Sequence, residues 1–373
     1  MRYPSGPGCA GIRRRRHRSH PSGRITVTGT RKWLIALVAA AIALTISGDV
    51  IPRAILASMK KLDVEASATF RTKPSRALVL DARAWRDRAP GDCPELRCYQ
   101  TTEEVTETTE VRVGAAEDPK EAIITARSEL GRARWEDTVR VTRHSTFPVL
   151  EPNGEVTWEG TLAGVLTGRA TGEFAREGLH YRFPSTTEQK SYPYFDPWSL
   201  QSAPIDYVDK SQHYFLYHQD VAPVALTPDS PTLLRAEPLS GPAGAFYSPE
   251  EIATLGIQGR EPVTLTPYYA VNRTLTVEPA SGEIIDKREH RVVVLARSAE
   301  EAHKTAVEEP EGRVLYRADT SWDDATVATQ EAKANRVVDT QQRMAVLSWV
   351  SKALRLVVAL AAVVLLIRRG RAR

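Results

Sequence analysis

The run WLIALVAAAIALTISG (Trp33–Gly48) carries no charge, and how it is read decides the fold. Extended by Val50 and Ile51, it approaches the ~20 residues a helix needs to cross a bilayer. A second run, Val346–Ile367, is long enough to span, although Lys352 and Arg355 sit in its first half. Three positions apart, these two bases share one helical face. They are expected near the outer interface, snorkelling to water. A buried core helix is the bland alternative, but the uncharged stretch Leu356–Ile367 followed at once by RRGRAR argues against it.

Charge segregation supports the same division. The chain has 373 residues and a formal charge of +4. Residues 1–48 hold nine bases and no acid, and seven bases follow the last acid, Asp339. The middle therefore carries all 46 acids against 34 bases, a net of −12. Bases beside both apolar runs place both termini in the cytoplasm and the acidic middle outside. The leader is long and no A-x-A site follows the first run, so an uncleaved anchor is expected rather than a signal peptide. Arg13–Arg16 is read as an orientation and lipid-attraction signal, not as a nucleic-acid patch. GPGCAG (Gly6–Gly11) follows no strand and is not a dinucleotide loop.

The outer part reads mainly as strand. Val105–Val113, Trp135–Val141, Val271–Val277 and Arg288–Leu295 are rich in Val and Thr with approximate alternation. VLEPNGEV (Val149–Val156) and TVEPASGEI (Thr276–Ile284) each suggest a hairpin with a glycine turn. Prolines between Pro193 and Pro267 favour loops and edges. Ser248–Leu255 reads as a capped short helix, and Ser321 with Asp324 as the start of another. The expected fold is α+β: a large antiparallel β-rich extracytoplasmic domain between two terminal transmembrane helices. Its parts are a basic cytoplasmic tail (1–32), a first span (33–51), the β-rich domain (52–319, with a helical stalk at 54–62), an amphipathic helical stalk (320–345), a second span (346–367) and a basic tail (368–373).

Cys93 and Cys98 (CPELRC) lie in the outer part, where a disulfide can persist. Half a metal site is the other reading of that spacing, but no second pair or nearby histidine supports it. Cys9 is expected free. No G-x-S-x-G elbow, H-E-x-x-H or phosphate loop occurs. His213 and His218 diverge on either a strand or a helix, and Asp323 with Asp324 fits a helix start better than a catalytic pair. No catalytic residue, metal or cofactor is expected, and the chain is not read as an enzyme.

Ten of the 26 aromatic residues fall between Tyr181 and Tyr217. Such rings usually fill a β core. The functional reading is an aromatic groove for an apolar or sugar-bearing ligand, lined by Tyr181, Phe183, Tyr192, Tyr194, Phe195 and Trp198.

The segment GLHYRFPSTTEQKSYPYFDPWSLQSAPIDYVDKSQHYFLYHQ (Gly178–Gln219) resembles the actinobacterial porin PorA family, long carried as a domain of unknown function. Tyr268-Tyr269, Val277-Glu278-Pro279, Gly282 and Asp286 fit its later portion. The resemblance implies a pore, which two helical spans cannot enclose without oligomerisation. A membrane β-barrel would need lipid-facing alternation, and these strands are highly charged. The leading expectation is thus a tethered envelope module that binds or transfers a lipid or glycolipid. A porin or channel component, or a non-catalytic assembly partner, is the alternative. Expected partners are plasma-membrane lipids, a lipid or glycolipid ligand, and an envelope protein or further copies of the chain, with no nucleic acid.

Overall fold

The computed structural model describes residues 27–88, 91 and 93–371. The arginine run Arg13–Arg16, the Gly6–Gly11 segment and Cys9 lie outside the described residues. Two compact units emerge, Met1–Pro52 with Val346–Arg373, and Arg53–Ala345.

The second unit is a body of antiparallel sheets. One sheet has five strands in the order Ser67–Arg71, Glu107–Ala115, Glu121–Leu130, Ala133–Thr142 and Gly154–Glu159. The larger sheet runs Tyr192–Asp196, Gln201–Ser211, Tyr214–Ala225, Pro262–Val277, Ile284–Ala296, Val314–Ser321, Ser75–Leu80 and Gln100–Val105. Leu239–Pro242 adds a ninth strand against Pro262–Val277. The fold is the expected α+β class. Alternation decides which face each strand buries. In Ala133–Thr142 the residues Ala133, Trp135, Asp137, Val139 and Val141 turn inward. Outward residues such as Arg127 and Glu136 pair across the exposed face at 2.5 Å.

The core joins the two sheets through tryptophan. Trp135 and Trp158 are cross-strand partners with stacked rings 5.2 Å apart. Both meet the edge of Trp198 at 6.0 Å, and Trp198 packs in turn on Tyr269 and Tyr316 of the larger sheet.

Local expectations met different fates. VTETTEVRV is not one strand. Gln100–Val105 pairs with Ser75–Leu80 in the larger sheet, whereas Glu107–Ala115 belongs to the five-stranded one. The chain changes sheets at Thr106, and its alternation carries through the change. Thr276–Ile284 does form a hairpin, with Val277 opposite Ile284. Gly282 holds φ at +77° there, and a side chain would run into the Phe183 carbonyl. Asn153-Gly154 makes no tight turn: the Asn153 amide donates instead to the carbonyls of Val149 and Arg176. Ser248 caps Pro249–Leu255 in a capping box with Glu251. The terminal helix begins later than Ser321: the Asp323 carboxylate accepts from the Thr326 N–H at 2.7 Å.

In the first unit, an α-helix over Val27–Thr45 passes through a π-turn, Ile46–Val50, into the start of a second α-helical stretch, Ile51–Met59, most of which belongs to the other unit. Pro52 has no N–H to offer the Gly48 carbonyl, so the regular ladder cannot continue. The Ile51 N–H bonds five residues back, to Ile46. The other helix is continuous over Asp324–Arg371. Both are long and apolar enough to cross a membrane. Gly48 packs so tightly on Ser351 that a side chain there would overlap the serine Cβ. Beside it the Arg355 Nη1 lies 2.7 Å from Asp49 Oδ2. Arg355 therefore has a carboxylate partner within its own unit, where snorkelling to an interface was expected.

Candidate functional site

The body's most developed internal site is a charged layer between the two sheets. It arises because several strands place a charged residue in an inward row. Arg273 shares its row with Val271 and Leu275, Glu289 and Arg291 share theirs with Val293, and Asp137 lies between Trp135 and Val139. Each is at most 5% exposed. Burying such groups is tolerable only if each finds a partner.

They do find partners. The Arg273 guanidinium donates to Asp196 Oδ1 at 2.5 Å and to Gln219 Oε1 at 3.0 Å, and its Nε lies 3.0 Å from Glu289 Oε1. Arg291 donates to Glu107 Oε2 at 2.7 Å and also to Glu289. Lys287 Nζ adds a 3.0 Å contact to Glu289. Asp196 also accepts from the Tyr269 hydroxyl at 3.1 Å and the Ser199 N–H at 2.9 Å. A second cluster joins Arg176 to both oxygens of Asp137, at 2.6 and 2.8 Å, with the Tyr181 hydroxyl donating to the same carboxylate.

Four acids (Glu107, Asp137, Asp196, Glu289) meet four bases (Arg176, Arg273, Lys287, Arg291), so the layer is balanced. Burial opposes the ionisation of Glu289, yet Arg291, Lys287 and Arg273 together hold its carboxyl well below the usual range. Burial and the neighbouring Arg176, Lys287 and Arg273 push His180 well below the ordinary imidazole value. Its Nδ1–H donates to the Phe195 carbonyl at 2.8 Å. Burial first, and Asp137 second, raise the Tyr181 hydroxyl far above its normal value. Every carboxylate here is held by a cation.

A cavity of about 50 Å³ opens among these groups, lined by Tyr181, Tyr194, Trp198, Glu107, Lys287 and Glu289 among others. At roughly 10–15 Å³ per water it holds a few waters, against the ~300–1,000 Å³ of ordinary ligand pockets. The six predicted aromatics do not line one groove. Tyr181, Tyr194 and Trp198 reach this cavity. Phe183 and Tyr192 pack with Tyr217 in a separate core, and the ring of Phe195 lies 4.0 Å under the Arg176 guanidinium. Rings bought with so much apolar area go to the core, as large aromatics do. An open trough of about 650 Å³ lies on another surface, between Ala222, Ala270, Val292 and Ala306, and none of the six touches it. Cys93 and Cys98 are joined as a disulfide with Cα atoms 6.2 Å apart. Among the described residues no group of three His, Cys, Asp or Glu side chains is arranged to hold a metal ion.

The chain thus combines a body of antiparallel sheets with an apolar helix near each end of its sequence. The family profile for Porin PorA matches residues 35–364, and the chain belongs to that family. It is 28% identical over 283 residues to a Porin PorA of Corynebacterium resistens, covering 63% of this chain and 67% of that one. It is 27% identical over 217 residues to a Porin PorA of Corynebacterium amycolatum, covering 53% of this chain and 55% of that one. The chain thus spans about two thirds of the first relative and about half of the second. The resemblance read from Gly178–Gln219 falls inside the matched region.

Proposed function

We propose that this chain is the protomer of an envelope pore in which several copies combine. The observation that carries the reading is the extent of the family match, which runs from Ile35 in one apolar helix to Val364 in the other. The printed names of both relatives are those of porins. Among the described residues the strands form open sheets of five, nine and three strands, and two helices enclose no lumen, so the water path is assigned to helices contributed by several copies. In this reading both helices cross the plasma membrane, both termini are cytoplasmic, and the acidic body stands outside. The chain is not an enzyme and needs no cofactor. Its partners are membrane lipids and further copies of itself. This reading takes precedence over a lipid or glycolipid carrier, because the internal cavity is small and lined with charge.

The test is solute flux. Purified full-length chain, reconstituted into vesicles loaded with a small fluorescent anion or cation, should release the contents in proportion to the protein added. Vesicles that stay sealed at every protein-to-lipid ratio contradict the proposal.

A further inference from the structure

Each apolar helix carries a cluster of polar residues on one face. Thr45 and Asp49 are four apart on the first; Ser348, Lys352 and Arg355 follow at intervals of four and three on the second. The two polar faces meet. Arg355 Nη1 is 2.7 Å from Asp49 Oδ2 and 3.4 Å from Thr45 Oγ1, beside the close contact of Gly48 with Ser351.

This polar level lies within the apolar length of both helices. Leu356–Ile367, the uncharged run on one side of it, is twelve residues, about 18 Å at 1.5 Å per residue. Trp33–Gly48 is sixteen residues, about 24 Å. Neither alone matches a hydrocarbon core of about 30 Å. Apolar sequence resumes on the other side with Val346, Leu347, Trp349 and Val350 on one helix, and Val50 and Ile51 on the other. Asp49 neutralises Arg355. Lys352 is different: it is exposed, and among the described residues its ammonium meets no carboxylate, only the Trp349 ring at 5.8 Å.

The geometry points to Lys352 as a residue of the aqueous path, placing one positive charge per copy at this level while Asp49 holds Arg355 against the helix pair. The inference rests on the pore reading. Ionisable groups inside a membrane face protein partners or water, and Lys352 lacks the partner that Arg355 has. A ring of fixed charge at a narrow level biases which ions pass. Lys352 favours anions, whereas the acidic middle of the chain, Asp49–Asp339, with its net charge of −12, attracts cations. The residue is therefore diagnosed by the change its replacement causes rather than by the overall selectivity.

The experiment uses purified full-length chain in planar bilayers under a potassium chloride gradient, comparing the native chain with Lys352→Gln and Lys352→Glu. The reversal potential should move toward the potassium equilibrium value, further for Glu than for Gln, with unitary steps retained. Conducting variants whose reversal potential does not move would put Lys352 outside the path, snorkelling to the headgroups, and overturn the inference alone. A native chain that never conducts would overturn the pore reading itself. Lys352→Gln introduces no new charge, so the comparison survives if the Glu variant fails to insert.

Discussion

Arg291 of the larger sheet reaches across the body to Glu107 of the five-stranded sheet, Nη1 to Oε2 at 2.7 Å, with both side chains 6% exposed. A charge pair thus fastens two layers that tryptophan packing also joins. Its guanidinium carbon lies 4.7 Å over the Trp198 ring, so ionic and aromatic contacts share one arginine.

Arg291→Met should be severely destabilising, because it leaves Glu107 and Glu289 buried beside too few cations. The expected loss is about 3–5 kcal/mol in urea unfolding. Arg127→Met removes an ion pair of similar length on the exposed face and should cost no more than about 1 kcal/mol. Equal effects at the two sites would remove the argument that burial gives the inner layer its weight.

The body's stability should vary with pH through three groups. His180 is held well below its ordinary value of 6.5, so the unfolded chain binds the extra proton and stability falls as pH drops below about 6.5. Glu289 is also depressed, and its contribution is lost as pH falls from its ordinary value of 4.5 toward its folded one. His290 runs the other way. Burial opposes its charging, but Asp319 and Glu309 raise its pKa above 6.5. Its stabilisation is complete below that pH and fades as pH rises through the folded value. Urea midpoints between pH 8 and 4 should show a shallower acid fall for His180→Gln and a steeper one for His290→Gln. Identical profiles in all three chains would count against these environments.

Asp49→Asn should destabilise the helix pair by leaving Arg355 unpartnered. The loss should be smaller than the ~3–5 kcal/mol of a fully buried pair, since both side chains keep about a quarter of their exposure. Adding Arg355→Gln should restore much of it. Gly48→Leu should be worse than either, because the overlap with Ser351 involves a Cβ that cannot swing away. Thermal unfolding of the detergent-solubilised chain reads all three. A double variant no better than Asp49→Asn would show the pair to be idle.

Replacing Cys93 and Cys98 together by Ser should lower body stability by about 2 kcal/mol, the chain-entropy expectation for so short a loop. The Tyr99 hydroxyl, which donates to the Cys93 carbonyl at 2.8 Å, should keep the local turn in place. Near-ultraviolet circular dichroism and urea unfolding check the two parts separately.

Much of the architecture was legible because its signals are long and one-dimensional. Trp33–Gly48 and Val346–Ile367 announce themselves by length, and Ser248 with Glu251 by capping chemistry. Two errors came from signals that tertiary contacts override. Thr106 sits in unbroken alternation while the chain changes sheets, and Asn153 gives its amide to Val149 and Arg176 in place of a tight turn. The aromatic cluster was visible, but composition does not distinguish a groove from a core. The charged layer was readable in principle. Asp137, Arg273, Glu289 and Arg291 each share the parity of apolar neighbours in their strands, so alternation alone puts a charge inside. Neighbours such as Glu289 and Arg291 pair within one strand, but the pairs that join strands far apart in the chain, Asp196–Arg273 and Glu107–Arg291, link residues 77 and 184 positions apart, and no local pattern supplies those.

The most direct test of the account is electrical: purified full-length chain added to a planar lipid bilayer under applied voltage. Assembly of several two-helix protomers around water predicts discrete, reproducible conductance steps whose frequency rises more steeply than linearly with protein concentration. A bilayer that stays silent with folded, membrane-inserted protein would contradict it.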